Sequence, residues 1–398
     1  MTYSKIHVPN GSTIFLNNSK SLLIRQLIAT FLYKDEILDI SADESEDVRT
    51  VHTALQSIRR ARKLSRETTT AITANDCGAG YRFLLSVLAT TEGNWILTGS
   101  PRLLKRPVRP LVSALLSIGA DIDECECGLR IHGHPLQSKE MTIHCEESSQ
   151  FASSLLLISH KIGLQQLHIL PPAPPSMPYI NMTRSVVNAM LGGRTVNTEA
   201  DWSTAAFWYA LVATSEKPRR LLLKNLRLDG LQGDRIAADL FAKMGVKSEQ
   251  TEEGVWIEKL GNPSIAELDI DLTDNPDLAP VLATTAVLYP FKLTLSGIGN
   301  LNFKESNRID ILTTTLARFA PACYHCSKED ESLTIDGTRR YTLPEQVIPI
   351  DTWNDHRMVM AFALLTQRHH VHLTATHCVK KSYPEFENYL HAVQSVQK

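Results

Sequence analysis

The hydrophobic positions of the chain follow a recurring unit: an apolar helical period, a glycine, and two short alternating strands across a turn. Helical periods followed by glycine lie at 111–118, 186–191 and 236–244. The strands after them lie at 120–127 and 129–132, at 195–197, and at 246–250 and 255–257. A fourth copy without the glycine lies at 309–319, 323–326 and 332–335. Glycine after a last helical turn adopts the left-handed conformation freely, so the repetition predicts an α/β architecture built from copies of one module.

Two irregular segments interrupt these modules. Residues 171–178 are rich in proline, which fixes φ and lacks an N–H, so they are predicted to form a stiff loop. That loop is either a domain boundary or the lining of a site. Residues 41–47 are rich in acidic side chains and are predicted to form a solvated loop before a helix at 48–62.

The composition is that of an ordinary globular enzyme, with 398 residues, 43% hydrophobic residues and a formal net charge of −2. The length predicts two or three domains. The charge argues against a nucleic-acid-binding protein, which needs a basic excess on one face. No uncharged apolar run of about 18 residues occurs, and the first residues lack the apolar core of a signal peptide, so no membrane partner is predicted.

Seven scattered cysteines favour a reduced, cytoplasmic protein. Cys323 and Cys326 have the spacing of half a zinc or redox site, but no second CxxC motif accompanies them. A metal site and a pair of buried or strand cysteines therefore both remain open. Cys125 and Cys127 alternate as in a strand that ends at Gly128, which predicts a hairpin.

Two charged segments stand directly before apolar helical runs. Residues 304–308 contain Lys304, Glu305 and Arg308, and residues 354–357 read Asn-Asp-His-Arg. The start of a helix attracts anions, and arginine binds phosphate or carboxylate through two hydrogen bonds. A carboxylate beside such cations is a candidate acid or base.

Further loop-to-helix junctions share this character, with cations or small hydrogen-bond donors at a helix start. They lie at 19–25, 78–85, 101–107, 148–151, 275–280 and 381–384. Each alone suits a helix cap or a solvated charge, but together they predict a ligand, or a pair of ligands, with several negative charges. The sequence has neither a Walker A motif nor a complete dinucleotide fingerprint.

In order, and over residues 11–384, these segments resemble the 5-enolpyruvylshikimate-3-phosphate (EPSP) synthase family, the 3-phosphoshikimate 1-carboxyvinyltransferases. The most specific matches are 19–21, 97–107, 148–150, 232–234, Asp277, 304–308 and 354–358. The resemblance implies transfer of the enolpyruvyl group of phosphoenolpyruvate to the 5-hydroxyl of shikimate 3-phosphate, in the shikimate pathway toward chorismate and aromatic amino acids. It implies neither a metal nor an organic cofactor. We expect a cytoplasmic monomer whose partners are these small-molecule substrates.

The implied fold has two α/β domains, each made of three copies of a small α/β unit arranged as an inside-out barrel, with the active site in the interdomain cleft. The first domain, on the shikimate 3-phosphate side, is predicted at 18–198. The second is predicted at 1–17 together with 199–398, and it carries Asp277, Glu305 and the Asn-Asp-His-Arg motif.

Carried over residue by residue, the resemblance implies two overlapping binding sets. Shikimate 3-phosphate would contact Lys20, Ser21, Arg25, Ser148, Ser149, Gln150, Ser176, Tyr179, Asp277, Asn300 and Lys304. Phosphoenolpyruvate would contact Lys20, Gly78, Arg82, Arg106, Gln150, Arg308, Arg357 and Lys381. Asp277 would orient and deprotonate the 5-hydroxyl, and Glu305 with Lys20 would donate a proton to the methylene carbon.

The sequence departs from the family pattern at two loops. Asn17-Asn18 replaces the usual Pro-Gly, and residues 76–79 read Asp-Cys-Gly-Ala in place of Asn-Ala-Gly-Thr. The second change removes a hydroxyl near a helix start that would face phosphoenolpyruvate, which predicts weaker binding of that substrate and of glyphosate.

The sequence leaves two alternative functions, and both are disfavoured. A UDP-N-acetylglucosamine enolpyruvyl transferase is disfavoured because residues 102–106 lack the cysteine expected on its mobile loop. A non-catalytic homologue that binds an anion is disfavoured because a pure binder has no need of both Asp277 and Glu305.

Overall fold

A computed structural model of the chain describes residues 8–63, 68–194, 196–261, 265–326, 331–343 and 346–391. Its α-helices are α1 (Lys20–Lys34), α2 (Glu46–Ala61), α3 (Gly78–Ala89), α4 (Pro101–Leu104), α5 (Arg109–Leu116), α6 (Gln150–Ile158), α7 (Met177–Leu191), α8 (Trp202–Ala213), α9 (Ala237–Lys243), α10 (Ala279–Leu288), α11 (Arg308–Leu316), α12 (His356–Ala363) and α13 (Phe386–His391). Its strands are β1 (Thr13–Phe15), β2 (Thr69–Thr73), β3 (Gly93–Thr98), β4 (Asp121–Cys125), β5 (Gly128–Gly133), β6 (Glu140–His144), β7 (Gln166–Leu170), β8 (Arg220–Lys224), β9 (Val246–Gln250), β10 (Gly254–Lys259), β11 (Glu267–Asp271), β12 (Lys292–Ser296), β13 (Ala322–Cys326), β14 (Glu331–Asp336), β15 (Ile348–Ile350) and β16 (Val371–Leu373). Short 3₁₀ helices lie at Gly233–Ile236, Pro276–Leu278, Gly299–Phe303, Gly337–Arg339, Leu364–Gln367 and Thr376–Lys381.

The chain divides into two compact units. The N-terminal unit is Ser19–Thr198, and the C-terminal unit combines Met1–Asn18 with Glu199–Lys398. The sequence prediction set the first boundary one residue earlier, and its assignment of substrates to the two domains stays a prediction. Within the described ranges, no helix is both long and apolar enough to span a bilayer.

Three four-stranded sheets share one topology, in the orders β2-β3-β5-β4, β1-β8-β10-β9 and β11-β12-β14-β13. In each, the first two strands are parallel and the other pairs are antiparallel. A helix packed beside the hairpin precedes it in each sheet: α5, α9 or α11. Three of the four predicted helix–strand–strand copies are therefore confirmed.

The predicted copy at 186–197 is wrong in its extended part. Helix α7 does end just before Gly192, but Val196 and Asn197 belong to no strand, and residue 195 lies outside the described residues. The carbonyl of Val196 accepts a hydrogen bond of 2.6 Å from the Gln26 side chain. A side-chain donor thus satisfies a backbone group that a strand would have paired.

Two further sheets are parallel pairs, β6-β7 and β15-β16. The described strands thus form two sheets in the N-terminal unit and three in the C-terminal unit, and none of these sheets closes into a barrel. Each unit has its own hydrophobic core. Helices α8 and α10 are buried on every side, as expected for helices that are apolar all round.

Two predicted loops need correction. The proline-rich segment ends inside α7, because Pro178 occupies the first helical turn, where its missing N–H costs nothing. The acidic segment is not fully solvated. Helix α2 begins at Glu46, and Glu44, Ser45 and Asp47 are buried.

Candidate active site

Arg82 is a buried guanidinium of the N-terminal unit whose hydrogen bonds go to neutral oxygens. It lies on α3 and is 3% exposed. Its Nη1 donates to Gln150 Oε1 at 2.6 Å, while Nε and Nη2 donate to the Pro107 carbonyl at 3.2 and 2.9 Å. Burial, and then the charge of Arg106, hold the pKa of Arg82 well below its ordinary value. An anion at this point would offset both effects.

Arg106 lies against Gly78 at the start of α3. A Cβ atom at position 78 would come within 2.3 Å of Arg106 Nη1, so glycine is what admits this guanidinium. Arg106 Nε is buried and has no hydrogen-bond partner among the described residues. Cys77 caps α3, because its Sγ accepts a hydrogen bond from the Gly80 N–H at 3.1 Å.

Arg25 is buried in α1, and its guanidinium donates hydrogen bonds to neighbouring protein oxygens. It donates to Thr183 Oγ1 at 2.7 Å, to the Ser21 carbonyl at 2.7 Å and to Ser153 Oγ at 3.3 Å. Its guanidinium carbon lies 5.9 Å from the centroid of the Tyr179 ring. Burial lowers the pKa of Arg25 to about 10.

The remaining predicted residues of this unit lie at helix starts. Lys20 begins α1 and pairs with Asp47 of α2 at 3.1 Å. Ser149 is the N-cap of α6, and the Gln150 N–H donates to Ser148 Oγ at 3.3 Å. Ser176 precedes α7 with φ 64°, a left-handed conformation that is uncommon for a side-chain-bearing residue and typical of functional sites.

Asp277 is the centre of a cation cluster in the C-terminal unit. Its Oδ1 lies 3.0 Å from Arg308 Nη1 and 3.4 Å from Lys304 Nζ, and its Oδ2 lies 2.8 Å from Arg357 Nη2. The residue lies in the 3₁₀ turn Pro276–Leu278. Three cations around one carboxylate stabilise its ionised form.

Asp355 fixes the orientation of Arg308. It is fully buried and accepts hydrogen bonds from Arg308 Nε at 2.9 Å, Arg308 Nη2 at 3.1 Å and Ser306 Oγ at 2.9 Å. It also caps α12 through the Arg357 N–H. Burial alone would raise the pKa of Asp355, but the charges of Arg308 and His356 and the hydrogen bonds from Arg308 together outweigh burial, and the pKa is lowered.

Glu305 lies between His356 and Lys381. His356 Nδ1 is 2.9 Å from Glu305 Oε2, and Lys381 forms a short ion pair with Oε1. Burial would raise the pKa of Glu305, yet the charges of His356, Lys381 and Arg308 hold it well below its ordinary value. Glu305 is therefore an ionised carboxylate in this arrangement.

Glu305, Asp355 and His356 together offer three possible metal-ligand atoms within 4.8 Å of one another. Arg308 and Lys381 already bond the same two carboxylates, so positive charge is supplied to them by the protein itself. The expected absence of a metal stays a prediction.

A second buried carboxylate, Asp234, lies behind the cluster. It accepts hydrogen bonds from Ser203 Oγ and, at 3.1 Å, from Asn275 Nδ2. Arg357 Nη2 donates to the same Ser203 hydroxyl at 3.3 Å. Burial, and then the charge of Asp277, raise the pKa of Asp234.

The structure thus joins the predicted residues in small groups within each unit. In the N-terminal unit, Arg82 bonds Gln150, and Arg106 packs on Gly78. In the C-terminal unit, the carboxylates of Asp277 and Glu305 collect the predicted cations Lys304, Arg308, Arg357 and Lys381. Asn300 lies in the adjacent 3₁₀ helix, and its Oδ1 is buried with no hydrogen-bond partner among the described residues.

Sequence reasoning missed five residues that hold these groups in place. Asp234, Asp355 and His356 lay inside motifs that had been recognised but received no role. Their signal was present, because each lies in a short motif with an arginine one or two residues away. Ser203 and Asp47 carry no local signal, since only the tertiary fold brings them to Arg357 and Lys20.

Comparisons with known proteins agree over nearly the whole chain. The family model EPSP synthase (3-phosphoshikimate 1-carboxyvinyltransferase) matches residues 11–194 and 188–390. The chain is 32% identical to 3-phosphoshikimate 1-carboxyvinyltransferase of Bacteroides fragilis (strain YCH46), covering 95% of this chain and 94% of that protein. It is 28% identical to the protein of that name from Dehalococcoides mccartyi (strain ATCC BAA-2100 / JCM 16839 / KCTC 5957 / BAV1), covering 96% of each.

Among solved structures, EPSP synthase from Acinetobacter baumannii superposes with a TM-score of 0.68 at 19% identity, covering 98% of each chain. At that level of identity the likeness speaks for the fold alone. It confirms the predicted two-domain α/β class.

Proposed function

Because the chain belongs to the EPSP synthase family, we propose that it acts as a 3-phosphoshikimate 1-carboxyvinyltransferase. It transfers the enolpyruvyl group of phosphoenolpyruvate to the 5-hydroxyl of shikimate 3-phosphate and releases phosphate, on the route to chorismate and the aromatic amino acids. The observation that carries the proposal is the cluster at Asp277, where one carboxylate lies within 3.4 Å of three cations. Such a cluster supplies a base beside groups that bind anions.

In this proposal Asp277 is the base that removes the proton of the 5-hydroxyl. As the hydroxyl oxygen bonds to the central carbon of phosphoenolpyruvate, its proton passes to the Asp277 carboxylate and the methylene carbon takes up another. Loss of phosphate and of one proton from the resulting methyl group then restores the double bond. Arg308 and Arg357, which hold Asp277 at 3.0 and 2.8 Å, would keep it ionised until the hydroxyl arrives.

In this proposal Glu305, with Lys20, is the acid that donates a proton to the methylene carbon. An ionised Glu305 must first gain that proton. A substrate anion that engages Lys381 and Arg308 would weaken two of the charges that hold the pKa of Glu305 low. It would thereby favour transfer of a proton to Glu305 from His356, whose Nδ1 lies 2.9 Å away. Proton transfer is then coupled to substrate binding.

The N-terminal unit supplies the other contacts in this proposal. Arg82 and Arg106, which make no ion pairs within the described part of the chain, would bind phosphoenolpyruvate together with Gly78, Lys20 and Gln150. Shikimate 3-phosphate would contact Lys20, Ser21, Arg25, Ser148, Ser149, Gln150, Ser176 and Tyr179 here, and Asp277, Asn300 and Lys304 in the other unit. The unpartnered Oδ1 of Asn300 supports its place in that set, because a buried acceptor needs a donor.

The UDP-N-acetylglucosamine enolpyruvyl transferase is not favoured, because the relatives that span the chain are named 3-phosphoshikimate 1-carboxyvinyltransferase. Phosphate release from purified full-length protein tests the choice. Release should require phosphoenolpyruvate and shikimate 3-phosphate together. Release with UDP-N-acetylglucosamine instead, or with neither acceptor, would contradict the proposal. A monomeric state and a cytoplasmic compartment stay predictions, which sedimentation and cell fractionation would test.

A further inference from the structure

Cys125 and Cys127 bring two thiols together at the tip of a hairpin. Cys125 ends β4, Gly128 begins β5, and the two are paired across a two-residue turn. The two sulfur atoms lie 3.5 Å apart. Cys127 is exposed and Cys125 is half-buried, and neither is in a disulfide.

The turn that carries these thiols is held against the neighbouring strand. Gly128 has φ 140°, and a Cβ atom there would meet the Leu97 carbonyl oxygen at 2.1 Å. Only glycine therefore fits, and the backbone after Cys127 is fixed against β3. A fixed turn keeps the two sulfurs near each other, which lowers the entropy lost when a bond joins them.

The other cysteine pair, which the sequence singled out, is arranged differently. Cys323 and Cys326 both lie in β13, and residues three apart in a strand point to opposite faces. Cys323 Sγ contacts the Tyr324 carbonyl and Cys326 Sγ contacts Glu331, each at 3.8 Å. The strand interpretation of this pair is confirmed, and the alternative of burial is wrong, because both cysteines are exposed.

A zinc site at the hairpin would need further ligands beyond two thiolates. Among the described residues, the one group of three or more possible ligand atoms within 4.8 Å is Glu305, Asp355 and His356, which excludes both hairpin cysteines. A disulfide needs only the two sulfurs. Its bond of about 2.05 Å requires them to approach by about 1.5 Å from the 3.5 Å contact.

We propose that Cys125 and Cys127 form a reversible disulfide by exchange with a low-molecular-weight disulfide such as glutathione disulfide. The exposed Cys127 thiolate attacks one sulfur of glutathione disulfide and releases one glutathione. Cys125 thiolate then attacks Cys127 Sγ and releases the second. The protein loses two protons and two electrons, and the electrons reduce glutathione disulfide to two glutathione molecules.

Two features bear on the rate and the location of this exchange. The hydrogen bond with Cys125 raises the pKa of the Cys127 thiol, so the reaction should become faster as the pH rises, because the thiolate is the nucleophile. Cys125 and Arg106 line the same cavity of about 780 Å³. Oxidation would therefore place a covalent bond in the wall beside a residue proposed to bind phosphoenolpyruvate.

The test compares both cysteine pairs in one sample. The reduced full-length protein is equilibrated with mixtures of glutathione and glutathione disulfide, quenched in acid and alkylated. Trypsin then yields a peptide, residues 106–130, that carries Cys125 and Cys127 and no other cysteine. The folded hairpin holds its two sulfurs 3.5 Å apart, which gives each thiol a high effective concentration at the other. The hairpin peptide should therefore hold an internal disulfide at least about tenfold more often than the peptide with Cys323 and Cys326, which lie three residues apart in a strand.

Two single variants separate the steps. Cys125→Ser should accumulate a mixed disulfide of Cys127 with glutathione, because the resolving thiol is gone. Cys127→Ser should react more slowly, because Cys125 is half-buried. Equal internal disulfide in both pairs, or two bound glutathiones on the hairpin peptide, would overturn the proposal. The readout is independent of catalysis, so failure of the proposed enzymatic function would leave it intact.

Discussion

The buried arginines of the two units have opposite electrostatic surroundings. Arg82 of the N-terminal unit bonds neutral oxygens, and burial together with Arg106 lowers its pKa. Arg308 of the C-terminal unit is equally buried, but the charges of Asp355 and Asp277 outweigh the effect of burial and raise its pKa. A cation of the first kind attracts an external anion, whereas one of the second kind mainly fixes the acids around it.

This difference suggests a division of labour. In the C-terminal unit the cations pair with Asp277, Glu305 and Asp355, which would hold the proposed acid and base in fixed positions. In the proposed reaction, Arg82 and Arg106 of the N-terminal unit bind the substrate. The following variants test whether the two groups really differ in this way.

The largest effect is expected from the carboxylates. Asp277→Asn should lower turnover by about two to four orders of magnitude, the scale of a positioned acid or base, while substrate binding changes by only a few-fold. Glu305→Gln should behave alike. Steady-state kinetics checks both, with Asp310→Asn as the control because that residue is exposed on α11. Near-normal turnover in either variant would refute the role assigned to that residue.

A large loss of stability is expected when a cation that pairs with a buried carboxylate is removed. Arg308→Gln leaves Asp355 fully buried without its main partner, and breaking such a pair costs about 3–5 kcal/mol. Urea unfolding measures the change. The double variant with Asp355→Asn should lose less than the sum of the two single variants, since the pair is coupled. Additive losses would mean that the 2.9 Å contact between them contributes little.

Acid should destabilise the C-terminal unit through the same groups. The folded pKa values of Glu305 and Asp355 are below their unfolded values, so their contribution is present above about pH 4 and is lost as the pH falls through the folded values. Asp234 acts with the opposite sign, because its folded pKa is raised. Its contribution to stability is present at low pH and is lost as the pH rises through the folded value. Comparing the wild type with Asp355→Asn isolates one group.

The expected result is lower stability of Asp355→Asn at pH 7 and a shallower loss between pH 5 and 3. Tryptophan fluorescence suits the measurement, since four of the five tryptophans (at positions 202, 208, 256 and 353) lie in the C-terminal unit. Parallel curves for the two proteins would show that Asp355 does not contribute to the pH dependence.

The smallest effect is expected at the altered loop before α3. The missing hydroxyl is worth about 1.5–3 kcal/mol in a charged network, or about tenfold or more in affinity. The Gly80 N–H cannot replace it freely, because it already donates to Cys77. We expect a raised Michaelis constant for phosphoenolpyruvate and weak glyphosate inhibition, both restored toward ordinary values by Ala79→Thr. Tight competitive inhibition of the unmodified protein would show that the loop change is silent.

The repeated modules could be predicted from sequence because each contains its own signals. Glycine after α5 and α9 and the alternation in β5 and β10 are local features. The predicted copy at 186–197, whose strand does not form, shows the limit of such local signals. The Gln26 side chain, 170 positions away, donates a hydrogen bond to the Val196 carbonyl that a strand would have paired. No local pattern reports a long-range partner.

The site residues divide in the same way. Asp277, Glu305 and the cations follow from motifs, but how each charge is neutralised does not. The ion pair of Lys20 with Asp47, and the contact between the thiols of Cys125 and Cys127, depend on which surfaces the fold brings together. The CxxC spacing at 323–326 left two interpretations open for the same reason, since only the fold shows that both cysteines lie in one strand and not at a turn.

The division of labour is tested most directly by measuring kcat and the Michaelis constant for phosphoenolpyruvate in Arg82→Gln and Asp277→Asn side by side. Arg82→Gln should raise the Michaelis constant about ten- to a hundredfold, for a lost hydrogen bond to a charged group, with kcat within a few-fold. Asp277→Asn should do the reverse. Lys105→Gln, at an exposed position near Arg106, controls for loss of a nearby charge, and thermal melting confirms that each variant is folded. If both variants lost the same kinetic parameter, the contrast between the two units would be contradicted.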